Sequence, residues 1–176
     1  PTPPLRIPQQ LETAVQRVRM AARAAAERTV DSMGLAALSS NNIFQRDALL
    51  GAQFELNRKL AIFSLTFNEA LDKRVARESA PRGSGARVVH TDWADLSLVD
   101  NREVENQVSA ERFALEIQHE CEWEIREVDS YICALLGLSR PQHDHNPLRP
   151  ELVGMAMMNA VDAITGDRPE SRKVLA

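Results

Sequence analysis

Two short stretches hold the side chains that chemistry would need. His143-Asp144-His145 alternates imidazoles around a carboxylate, a spacing able to chelate a divalent cation. A zinc site needs three or four ligands and a supporting shell, and the further donors His119 and Cys121 are remote in sequence. The stretch therefore reads as an exposed loop, and no metal is expected. His119-Glu120-Cys121-Glu122-Trp123 opens like a helical metalloprotease motif, but Trp123 stands where the second histidine must fall one turn on. The carboxylates Glu120 and Glu124 read as a solvated helix face. Cys121 and Cys133 fall in one predicted helix, roughly 18 Å apart at ~1.5 Å per residue, which is beyond disulfide reach. Reduced thiols suit a cytoplasm. With no triad, phosphate loop or paired acid–base motif, neither an enzyme nor a cofactor is expected.

Charge gives a second lead. Residues 100–130 hold ten acidic and three basic side chains, whereas residues 1–30 hold five basic and two acidic. Most of this reads as ordinary solvated helix surface; the sharper reading docks the acidic helix on the basic first helix or on a basic partner. Arg102, Arg112, His119 and Arg126 are the side chains from which a polar pocket for a nucleotide or small effector would be built. The net charge of −4 gives no electrostatic reason to expect nucleic acid as a partner.

Whatever these groups do, helices must position them. Aromatics make up 5% and glycine is scarce beside abundant Ala, Leu, Glu and Arg, a balance that favours helices over sheets. Leu11, Val15, Val18, Ala22, Ala25, Thr29 and Met33 form an amphipathic stripe, with Gly34 as its expected C-cap. Ser39-Ser40-Asn41-Asn42 is a run of N-cap residues. The stripe that follows (Leu49, Ala52, Leu56, Leu60, Phe63, Phe67, Ala70, Arg74) predicts one helix to about Ser79, on the order of 55 Å long. Leu50, Phe54, Ile62, Leu65 and Leu71 lie off that stripe and suggest a second apolar face for another helix or a partner subunit.

Pro81, Gly83, Ser84 and Gly85 break the pattern. Trp93, Leu96 and Leu98 follow and are expected to plug the core. Asp100 and Glu103 have the spacing of a capping box, with Val99 and Val104 as a hydrophobic staple. From that cap a helical pattern runs to Leu136 on an inner stripe of Val104, Val108, Phe113, Ile117, Cys121, Ile125, Val128, Ile132 and Leu135, with a phase shift and a bend expected near Ser109, and Gly137 ends it. Pro150 stands where a first helical position should be, with Glu151 favourable to the helix dipole, in a helix ending at Gly166.

Trp93…Leu96-Ser97-Leu98-Val99-Asp100…Glu103-Val104-Glu105 and Asn146-Pro147-Leu148…Pro150-Glu151 resemble a bacterial family of long proteins, domain-of-unknown-function family 1631. There an acidic helix follows the first motif and a turn built on the second opens the next helix. The resemblance covers residues 9–166, with Arg149 where the family commonly has glycine, a change that bears on the turn geometry. It implies the N-terminal portion of a protein several times longer and brings no catalytic residues. Some relatives are linked to PilZ-type cyclic di-GMP signalling. Arg19-Met20-Ala21-Ala22-Arg23 resembles the Arg-x-x-x-Arg of PilZ domains, but it sits inside a predicted helix without the downstream element or the barrel.

The expectation is an all-α bundle of about four helices, two of them long and antiparallel, with a crossing loop at 80–99. Residues 1–8 read as a linker, 9–166 as the helical domain, and 167–176 as the truncated start of a next segment. No apolar run approaches the roughly 20 residues of a membrane span. Asn146, Pro147 and Pro150, with Trp93, Leu96, Leu98, Asp100 and Glu103, are expected to be structural. The leading functional expectation is a non-enzymatic interaction or oligomerisation module of a larger regulatory protein, partnered by itself or another protein through Leu50, Phe54, Ile62 and Leu65. The alternative is a ligand-sensing domain built on Arg102, Arg112, His119 and Arg126.

Overall fold

The computed structural model describes residues 6–80, 101–137, 145–166 and 168–176. Trp93, Leu96, Leu98, Asp100, His143 and Asp144 lie outside them, so the crossing segment and the capping box do too. The described residues form an all-α fold with no strand: a short 3₁₀ turn at Gln9–Leu11, then α1 (Glu12–Ser39), α2 (Ile43–Arg58), α3 (Leu60–Glu78), α4 (Asn101–Glu120), α5 (Glu122–Leu135), α6 (Pro150–Thr165) and α7 (Pro169–Leu175). No helix among them is long and apolar enough to cross a membrane.

Several boundaries follow from local chemistry. Asn42 caps α2, its Oδ1 accepting from the Phe44 amide at 2.9 Å and the Gln45 amide at 3.4 Å. Pro150 opens α6 with Glu151 in its first turn. Gly137 and Gly166 take φ of 70° and 53° just past α5 and α6, where a side chain would be strained.

Other boundaries correct the sequence reading. Helix α1 does not stop at Gly34 but continues to Ser39; Gly34 faces Gln53 of α2, whose Nε2 donates to the Val30 carbonyl at 2.9 Å. The single long helix over 43–79 is two, separated at Lys59. The helix after Asn101 is unbroken at Ser109 and interrupted instead at Cys121. Four principal helices are therefore seven among the described residues. Val104 and Val108 are not on the inner stripe of α4; both are exposed, and Asn106, Ala110 and Ala114 are the buried positions. A polar residue and two alanines held the inward phase, and a search for large apolar groups passed over them.

Helix α6 is the hub. It packs between α3 and α4 and also touches α2 and α7, while α1 and α2 form a hairpin and α1 lies against α3. Ala163 is its one exposed residue. The core gathers Leu11, Val15, Leu56, Leu71, Val75 and Ile164, with the Phe63 and Phe67 rings stacked at 6.4 Å. The segment set apart in sequence at 167–176 supplies α7, which packs on α2 and α6.

The α4–α6 contact is close because Gly154 has no side chain. A Cβ there would meet the Ala110 carbonyl oxygen at 3.0 Å and Phe113 Cδ1 at 3.1 Å. At Gly51 in α2 the nearest atom is Ser171 Oγ at 3.8 Å, so a methyl group fits. Gly51→Ala is expected to raise stability by ~0.5–1 kcal/mol through helix propensity and unfolded-state entropy. Gly154→Ala is expected to lower it by about 1–2 kcal/mol, overpacking outweighing the same gain. Urea unfolding of both variants checks the pair; equal stabilisation would contradict the α4–α6 packing.

Candidate functional site

The bend between α2 and α3 has a buried carboxylate beneath it. Glu55 is 0% exposed, and a charge so placed requires cations. Lys59 Nζ lies 2.7 Å from Glu55 Oε2, Arg168 Nη1 2.6 Å from Oε1, and Arg58 Nη2 3.6 Å from Oε2. Lys59 also donates to the Ile164 carbonyl at 2.5 Å, near the end of α6, where a cation suits the helix dipole. Its backbone leaves the helical region (φ −110°, ψ 19°), yet its amide still donates to Glu55 O at 3.0 Å and its carbonyl still accepts from Phe63 N at 2.9 Å. One charge cluster thus ties the bend to the end of α6 and the approach to α7.

The bend orients the two apolar faces. Ala52, Leu56, Phe63 and Phe67 turn inward. Leu50, Phe54, Ile62 and Leu65 are 44%, 59%, 49% and 61% exposed, the first two on α2 and the others on α3, whereas Leu71, expected beside them, is buried in the core because its side of α3 faces the other helices. The Arg58 guanidinium lies 5.5 Å from the centre of the Phe54 ring, so the cation that faces Glu55 also covers part of this surface.

The residues proposed for an effector pocket are spread out. Arg102 donates to the Gly166 carbonyl at 2.7 Å and lies 3.6 Å from Asp162. Arg112 and His119 are exposed further along α4, and His119 is roughly 25 Å along the axis from Arg102. Arg126 pairs with Glu122 of its own helix at 2.5 Å. The structure does not bring the four together. Among the described residues, no three or more His, Cys, Asp or Glu side chains gather in a metal-binding arrangement. Cys121 is exposed and Cys133 buried, and neither is in a disulfide.

Of two further polar clusters, the one around Arg172 escaped the sequence reading, and the other surrounds the Asn146–Pro150 turn that the sequence marked as structural. Arg172 of α7 reaches Asp162 at 2.8 Å, Glu105 at 2.6 Å and Asn106 at 2.7 Å, while Asn106 donates to Asp162 at 2.5 Å. The hydrogen bond to Asp162, ahead of that to Glu105, pushes the Arg172 pKa up against burial. The Asn146–Pro150 turn forms the other cluster. Asn146 is buried, donates to Asp129 of α5 at 2.6 Å and accepts from the Leu148 amide at 2.8 Å. Arg149 takes φ −59° and ψ 149°, a conformation open to any residue, and its guanidinium donates to the Asn146 carbonyl at 3.2 Å and faces Glu78 at 3.6 Å. Pro147 and Pro150 are buried beside it, and Glu103 is exposed in the first turn of α4. The one signal for these clusters in sequence is a polar residue standing on an otherwise apolar face, as Glu55 does beside Ala52 and Leu56.

The hydrogen bond from Lys59 holds the Glu55 carboxyl below its ordinary value of 4.5, against the opposing effect of burial, with the charges of Lys59, Arg168 and Arg58 adding to it. A carboxyl depressed in the folded state contributes stability above its unfolded pKa and loses it as pH falls through the folded value. Glu55→Gln is therefore expected to lower stability at pH 7 and to flatten the stability–pH curve below about pH 4.5. Chemical denaturation at several pH values reads this; parallel curves for the parent and the variant would contradict it.

Comparison with curated proteins and with solved structures gives no match. A family model described as "Protein of unknown function (DUF1631) N-terminal domain" matches residues 6–175, nearly the whole chain. With Asn146, Pro147 and Pro150 forming the buried turn that opens α6, the chain belongs to the DUF1631 family, as its N-terminal domain.

Proposed function

We propose that this domain is a non-enzymatic interaction module that self-associates through the outer face of α2 and α3, within a larger bacterial regulatory protein. The observation that supports this reading is the exposure of Leu50, Phe54, Ile62 and Leu65 while the opposite sides of the same two helices close the core. Large apolar side chains grouped on an exposed face favour a protein partner. A second copy is the occupant we favour, because a two-fold contact would set each apolar face against its own copy. The regulatory setting, and a connection to cyclic di-GMP signalling, enter from the family resemblance rather than from geometry.

Light scattering across a concentration series tests the reading, comparing the parent with Leu50→Glu/Leu65→Glu. The parent is expected to form a dimer or larger species. The variant is expected to be a folded monomer, its thermal stability little changed because both positions face solvent. A parent that stays monomeric at every concentration overturns self-association through this face.

A further inference from the structure

Where the start of α1 meets the end of α3, an open groove of about 880 Å³ forms away from the apolar face. Ile7, Val15 and Ala76 give it an apolar lining, and Arg6, Arg17, Lys73 and Arg77 ring it with positive charge. Two carboxylates border it, and one of them, Asp72, is held by Arg19 at 2.5 Å through both oxygens. That leaves Glu12 against four cations whose side chains make no ion pair or hydrogen bond among the described residues.

Such a gathering is unexpected in a chain of net charge −4. Lys73 and Arg77 stand one helical turn apart, a spacing at which like charges repel. Arg74, half-buried beside them, has its pKa pushed down, first by burial and then by the charge of Arg77. The dipole at the C-terminal end of α3 accounts for Arg77, which stands in its last turn. It does not account for Lys73, nor for Arg6 and Arg17, which lie outside that turn on the N-terminal segment and α1. An anion held between them would relieve the repulsion among these cations.

We propose that this groove binds the phosphate groups of a multiply charged ligand. Guanidinium forks match phosphate oxygens in pairs, and Lys73 adds a point charge. The four cations come from three segments that close around one opening, which suits a compact polyanion better than an extended acidic peptide. The apolar lining receives whatever uncharged part the phosphates carry.

The test is titration calorimetry with tripolyphosphate, run beside co-sedimentation with phosphatidylglycerol–phosphatidylcholine vesicles and titration with a glutamate-rich peptide. The groove variant is Arg17→Ala/Arg77→Ala, and the control is Arg23→Ala, an exposed position on α1 paired with Glu27 and outside the groove. Circular dichroism confirms that each variant folds. Binding of tripolyphosphate that falls about tenfold or more in the groove variant and not in the control supports the proposal with a soluble ligand. The same pattern with vesicles alone supports it with a lipid headgroup as the source. Failure of both phosphate probes, equal loss in the control, or binding of the peptide alone overturns it.

Discussion

A carboxylate with no solvent contact dictates much of what surrounds it. Glu55 must be neutralised where it lies, and the cations come from its own helix, from the bend and from the approach to α7, 113 residues away. Lys59 answers two needs at once, the charge of Glu55 and the carbonyl of Ile164. At Lys59 the backbone leaves the helical region, and α2 and α3 are separate elements. On α3, Phe63 and Phe67 face the core while Ile62 and Leu65 stay outside. Removing a member of such a cluster strands the charges that remain.

The rest of the fold repeats this division of labour. Apolar packing supplies the bulk of the driving force, with α6 enclosed on nearly every side and drawn close to α4 at Gly154. Polar clusters then set which helix meets which. Arg172 joins α4, α6 and α7 through Asp162, Glu105 and Asn106, and Asn146 joins the turn before α6 to Asp129 on α5. Small residues and buried polar groups define the register, and neither weighs much in a hydrophobicity pattern.

That explains how far the sequence could be read. Local rules located the helical class, the Asn42 cap, the Pro150 start and the glycine stops at Gly137 and Gly166, because each depends on residues within one turn. The stripe from Ala52 to Ala70 marked the buried side of α2 and α3 correctly. The break at Lys59 had no local signal, since neither glycine nor proline stands there, and the groups that surround it include Arg168 and Ile164 far along the chain. Gly34 misled for a related reason, because its partner is Gln53 across the α1–α2 hairpin. The groove at Arg6, Arg17, Lys73 and Arg77 was equally invisible, as only the packing of α1 on α3 unites those positions.

The account rests on the bend as an ordered, internally held part of the core. Hydrogen exchange resolved residue by residue on the parent chain at neutral pH tests that most directly. The account predicts that the Lys59 and Phe63 amides, bonded to Glu55 O and Lys59 O, exchange as slowly as those in the middle of α6. Exchange at the bend as fast as at the exposed end of α1 would contradict it. Lys59 would then mark a hinge between two independent helices, with no buried charge holding their outer faces in place.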